Sequence, residues 1–133
     1  FRRSRGLGDV YKRQVFADGA PLNVPNGVAI DTDGNVVVVN IDDNAVITYN
    51  LDGEVVNTEY AAEGGNDGVV VLPDGTKYVS SVRFGSVSEI KPGEEATIIA
   101  SGIPSAASMC YDSVQNQLVI PMNPNYSLAF IPL

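Results

Sequence analysis

The chain has no His, no Trp and a single Cys among its 133 residues, and each shortage removes chemistry. Without imidazole there is no Ser–His triad, no His general base and no His-ligated metal. One Cys can form neither an internal disulfide nor a thiolate zinc site. Cations are scarce as well: 8 Lys and Arg stand against 16 Asp and Glu, a formal net charge of −8. Binding a phosphate backbone depends on Lys and Arg displacing counterions, so no nucleic-acid partner is expected. No apolar run reaches the ~18 residues of a membrane span, so no membrane partner is expected either. What is present is a hydrophobic fraction of 44%, enough for a packed core and too high for a disordered chain. The length fits one domain at most.

The charge is unevenly spread. Arg2, Arg3, Arg5, Lys12 and Arg13 crowd the first 14 residues beside a single acid, Asp9. From Val15 onward 3 basic residues face 15 acidic ones, a net charge of −12. Such a head can be read as a basic arm or as a targeting segment, although its apolar residues are too scattered for a signal-peptide core. The stretch Arg3–Gln14 (RSRGLGDVYKRQ) resembles the translated sequencing-adapter string that recurs at the ends of metagenomic reading frames. On that reading residues 1–14 are not native, and the native chain, 15–133, begins part-way through a longer protein.

Repetition organises the rest. The run Asn26-Gly27-Val28-Ala29-Ile30-Asp31, closed by Asp33-Gly34 and followed by Val36 to Val39, returns 41 positions later as Asp67-Gly68-Val69-Val70-Val71, Asp74-Gly75 and Tyr78-Val79-Val82. A third, weaker copy is Ser108 to Asp112, a turn over Ser113 to Asn116, then Gln117 to Ile120. A period of about 40 residues without helical periodicity is that of four-stranded propeller blades. Asp-Gly pairs predict tight hairpins. Third strands are expected at Ala45–Tyr49 and Ser86–Ile90, and fourth strands at Val55–Val56 and Ala96–Ile99. Ser127–Ile131 is expected as an outer strand, and Val15–Val24 as the outer strand of a preceding blade. The fold class is therefore all-β: a partial propeller with blades at about 25–64, 65–104 and 105–133. Propellers close with about 4–8 blades. The simplest expectation is a C-terminal fragment that lacks its N-terminal blades; the competing one is self-assembly of three-bladed chains into a six-bladed ring.

The runs Asn26 to Asp31, Asn66 to Gly75 and Tyr111 to Pro121 resemble the senescence-marker-protein, gluconolactonase and luciferin-regenerating family of six-bladed propellers. NHL-repeat propellers share part of the same pattern. The resemblance covers about Val15 to Leu133. It implies a divalent cation, Ca²⁺ first with Mg²⁺ or Zn²⁺ as alternatives, and a small lactone or sugar-acid-like substrate. It also implies Asn26 and Asp67 as metal ligands, Asp67 as the catalytic general base, and a Glu ligand from an earlier blade. The family's Pro-Ala-Asp in the last blade is Ala106-Ala107-Ser108 here, one carboxylate fewer.

The residues themselves support two readings. Asn26 and Asp67 hold the same place in successive blades, at the entry to the innermost strand, and hard cations take oxygen ligands. Equally, Asn and Asp before Gly are ordinary turn residues. Asp31 and Asp112 read as hairpin residues, Asp42, Asp43, Glu94 and Glu95 as solvated loop charges, and Arg83 as a surface ion-pair partner. Cys110 reads as a small buried hydrophobe. Two function classes follow: a metal-dependent hydrolase of lactones or related esters, or a non-catalytic NHL-like propeller that binds a ligand or protein. The compartment, cytoplasmic or exported, is left open.

Overall fold

The computed structural model describes residues 13–133. The expected foreign head, 1–14, thus lies outside the described residues apart from its last two. Among the described residues eleven strands form three antiparallel sheets in chain order. The first blade holds β1 (Pro25–Ile30), β2 (Val36–Asn40), β3 (Ala45–Tyr49) and β4 (Val55–Tyr60). The second holds β5 (Asn66–Val71), β6 (Lys77–Ser81), β7 (Ser86–Ile90) and β8 (Thr97–Ala100). The third holds β9 (Cys110–Asp112), β10 (Gln117–Met122) and β11 (Ser127–Pro132). Among the described residues no helix is long and apolar enough to cross a membrane.

The strands form where β-branched residues alternate between two buried faces, and the hairpin loops share one device. Asp31 N–H donates to Asn35 O and Gly34 N–H to Asp31 O, which leaves a three-residue loop ending in Gly34 at φ +83°. The same pair of bonds closes Asn50–Glu54 and Leu72–Thr76, with Gly53 at +80° and Gly75 at +89°. These are three-residue hairpins with glycine in the left-handed position, rather than two-residue turns that would need positive φ at Asp as well. Asp31 Oδ1 also accepts the Asp33 and Asn35 N–H groups at 2.9 Å, and Asp112 Oδ1 accepts from Val114 at 3.0 Å. Both are hairpin residues, as expected.

The blades bury apolar faces against one another at two seams. The forward face of blade 1 (Val37, Val39, Val46) packs on Val69, Val79 and Ile90 of blade 2. The forward face of blade 2 (Tyr78, Val87) packs on Leu118 and Ile120 of blade 3. A part-buried ion pair, Lys77 Nζ to Glu59 Oε1 at 2.7 Å, ties β6 to β4 across the first of these seams.

Four expectations change. Residues 15–24 form no strand; Phe16, Ala17 and Leu22 lie instead across Ala45, Ile47 and Tyr49 on the backward face of blade 1. Val82 falls past the end of β6, where its N–H donates to Gly65 O at 2.9 Å. Asp43 is more than a solvated charge: it accepts hydrogen bonds from Asn23, Asn40 and the Ala45 N–H and so pins the β2–β3 loop. Cys110 is exposed, because it lies in the terminal blade opposite Val119, where no further blade covers the sheet. Glu94, Glu95 and Asp42 are exposed, and Arg83 pairs with Asp42 at 2.7 Å on the surface, as expected.

Candidate functional site

Asn26 and Asp67 are strand residues, displaced by matching irregularities. The β1–β2 register shifts between Pro25 and Val28, and the β5–β6 register shifts between Asn66 and Val69. A bulge turns a side chain out of the alternating pattern, and here it does so at the same point of two blades. The chain enters each inner strand through a left-handed residue: Val24 at φ 53°, Gly65 at 71° and Ser105 at 54°. The Val24 carbonyl accepts the Ile41 N–H, and the Gly65 carbonyl accepts the Val82 N–H, both at 2.9 Å. Nothing in the amino-acid type of Val24 announces this, since β-branched residues avoid that region.

The glycines that follow Asn26 and Asp67 have a different purpose from the loop glycines. A Cβ on Gly27 would lie 2.1 Å from the Asp67 carbonyl oxygen, and one on Gly68 would lie 2.8 Å from the Ala107 carbonyl oxygen. Only glycine lets successive inner strands approach this closely. Ser80 locks the second contact: its Oγ accepts the Gly68 N–H at 2.8 Å and donates to the Ala107 carbonyl.

The result is a concavity of about 240 Å³ lined by Asn26, Gly27, Val28, Asp67, Gly68, Val69, Ser108 and Met109. Asn26 Nδ2 donates to Asp67 Oδ2 at 2.9 Å across the blade boundary. That bond leaves Asn26 Oδ1 and Asp67 Oδ1 for another partner. Ser108 of the third blade also lines the concavity, while the residue in Asp67's place there is Ala107, whose carbonyl Gly68 approaches as Gly27 approaches that of Asp67. The donor set is all oxygen, the chemistry a hard divalent cation requires. It is also a partial set: among the described residues no three Asp, Glu, His or Cys side chains cluster as metal ligands. The two nominated residues are brought together; Arg83 and Asp42, also one repeat apart, form their own pair on the β2–β3 and β6–β7 loops.

No protein-family model matches the chain, and no curated protein matches it in sequence. Solved structures do. A gluconolactonase from Xanthomonas campestris superposes with a TM-score of 0.64 at 23% identity, over 86% of this chain and 39% of that one. Virginiamycin B lyase from Staphylococcus aureus superposes at 0.58 with 10% identity, over 82% of this chain and 41% of the lyase. A catalytically inactive H270A form of that lyase with quinupristin gives 0.56 at 10% identity, over 85% and 42%. The fold is thus that of a β-propeller, and the chain spans about two fifths of the proteins it matches.

Proposed function

We propose that this chain is the blade set of a propeller hydrolase that opens lactones or related esters with the help of a divalent metal. The observation that carries the reading is the convergence of Asn26 and Asp67, from successive blades, on one concavity with a 2.9 Å hydrogen bond between them. The likeness of the fold to a gluconolactonase supports it. Asn26 Oδ1 and the Asp67 carboxylate would hold the ion, and the remaining ligands would come from water and from blades outside residues 13–133. The ion, when bound, would supply electrophilic polarisation of a carbonyl and acidification of a water molecule.

The other roles belong to the chain's own side chains. Asp67 accepts the proton of the attacking water and returns it to the alkoxide freed as the acyl C–O bond breaks; general-base catalysis of this kind contributes about 10²–10⁴-fold. Asn26 holds Asp67 Oδ2 through its Nδ2, which orients the carboxylate. Gly27, Gly68 and Ser80 fix the spacing of the inner strands that present these groups.

The test is lactone hydrolysis by the intact parent, with and without a chelator, for the native protein and for Asp67→Asn. Metal-dependent turnover that falls at least 10²-fold in the variant is expected. An intact protein with no lactone or ester turnover in any divalent metal would leave the non-catalytic, ligand-binding propeller as the better account.

A further inference from the structure

Asn26-Gly27 is the single Asn-Gly pair of the sequence, and it lies in the candidate site. A glycine that follows asparagine leaves its backbone nitrogen open to attack the side-chain carbonyl, because no Cβ shields it and the backbone turns freely. Asp-Gly pairs can close the same five-membered ring, and the chain supplies four of them for comparison. In each the glycine nitrogen is held. Gly34 N–H donates to Asp31 O and Gly53 N–H to Asn50 O, both at 3.1 Å, and Gly75 N–H to Leu72 O at 2.9 Å. Gly68 N–H donates to Ser80 Oγ at 2.8 Å.

Blade 1 lacks the last of these holds. The residue one repeat before Ser80 is Val39. The space around the two glycines shows the exchange: a Cβ on Gly68 would meet Ser80 Oγ at 3.0 Å, and one on Gly27 would meet Val39 Cγ2 at 2.9 Å. An isopropyl group in place of a hydroxyl offers the Gly27 N–H no acceptor. The β1–β2 ladder passes over both residues, going from Pro25 opposite Asn40 to Val28 opposite Val38. Asn26 also lines the concavity of about 240 Å³, from which water reaches its carboxamide.

We propose that Asn26-Gly27 is a self-modification site, at which the carboxamide of the candidate site converts with time into a carboxylate. Hydroxide takes the Gly27 amide proton, and the nitrogen bonds to Asn26 Cγ. The Cγ–Nδ2 bond then breaks, and the nitrogen leaves as ammonia with protons drawn from water. The succinimide takes up one water molecule. Opening at the Cγ–N bond gives aspartate at position 26, and opening at the backbone carbonyl gives isoaspartate. No oxidant or cofactor is consumed. Either product replaces the Nδ2 donor with a carboxylate oxygen, so the bond to Asp67 Oδ2 is lost and two like charges face each other. Isoaspartate also lengthens the backbone where Gly27 already has no room for a Cβ against the Asp67 carbonyl. On the metal-dependent reading above, on which this consequence rests, the cation site changes from one carboxylate to two, and ligand charge tunes affinity.

Peptide mass mapping of the intact protein, held folded at mildly alkaline pH without added metal, tests the proposal. The expected result is the mass gain of amide-to-acid conversion at Asn26, at least about tenfold faster than at any other asparagine. No isoaspartate is expected at Asp67. Val39→Ser, which gives blade 1 the hydroxyl of blade 2, slows conversion at Asn26, and Ser80→Ala starts isoaspartate formation at Asp67. A parallel sample unfolded in urea gives the intrinsic rate of the pair and keeps the test decisive where a variant fails to fold. Asn26 intact in the folded protein while the unfolded chain converts would overturn the proposal. So would conversion at Asn26 no faster than at other asparagines, or a folded Val39→Ser protein that converts at the native rate. None of these readouts depends on metal binding or turnover, so their failure is distinct from failure of the hydrolase reading.

Discussion

Val24 carries a conformational cost that its counterparts in the other blades avoid or reduce. A β-branched side chain at φ 53° is strained, and the equivalent residue of blade 2 is Gly65. Val24→Gly is therefore expected to stabilise the chain by about 1 kcal/mol, the relief of left-handed strain less the entropy glycine adds to the unfolded state. Urea unfolding checks it; an unchanged or lower midpoint would show that the strain is absent. Asp43 gives a residue-scale pH prediction. Burial raises its pKa, but hydrogen bonds from the Ala45 N–H, Asn40 and Asn23 outweigh that and leave it below 3.8. A depressed folded pKa means the stabilisation is present above the unfolded value of about 3.9 and is lost as pH falls through the folded one. Asp43→Asn should cost about 1 kcal/mol at pH 7, and the gap to the native chain should narrow as pH falls below about 4 and vanish below the depressed folded pKa. A gap independent of pH would contradict the assignment.

Strands and loops were legible to different degrees, for reasons that lie in particular residues. Ala45–Tyr49 and Ser86–Ile90 are the third strands read from the sequence, because runs of β-branched and small residues between turn signals specify local extended structure. The Asp-Gly loops were recognisable as turns, while their three-residue form depends on how many ladder bonds the flanking strands make. Asn26-Gly27 and Asp67-Gly68 look like the same turn chemistry, yet they are bulged strand residues whose glycines answer to a contact 40 residues away. No local pattern encodes that distinction. Cys110 was misread for a similar reason, since burial of a blade face depends on the next blade. The strand-level prediction concerns Gly27, whose added Cβ would meet backbone rather than a movable side chain. Gly27→Ala should cost about 3 kcal/mol, at the upper end of overpacking effects, as blades 1 and 2 are forced apart. A loss below about 0.5 kcal/mol by urea unfolding would show that the inner strands tolerate separation.

For the whole molecule, three blades form an arc with an apolar seam between each pair and an apolar face at each end. The acidic residues lie mostly in loops and at strand ends, and Glu59, which reaches the first seam, is paired there with Lys77. The arc presents Asn26 and Asp67, 41 residues apart, on one surface beside Ser108 of the third blade. Their common placement is a consequence of the repeat, and the pairing of a carboxamide with a carboxylate is what makes the surface a candidate site. Calorimetric titration of Ca²⁺ into the intact protein tests the central claim most directly. One site per propeller is expected, lost in Asp67→Asn and weakened in Asn26→Ala, with the fold of both variants retained. Binding that survives both substitutions, or no binding by the intact protein, would contradict it.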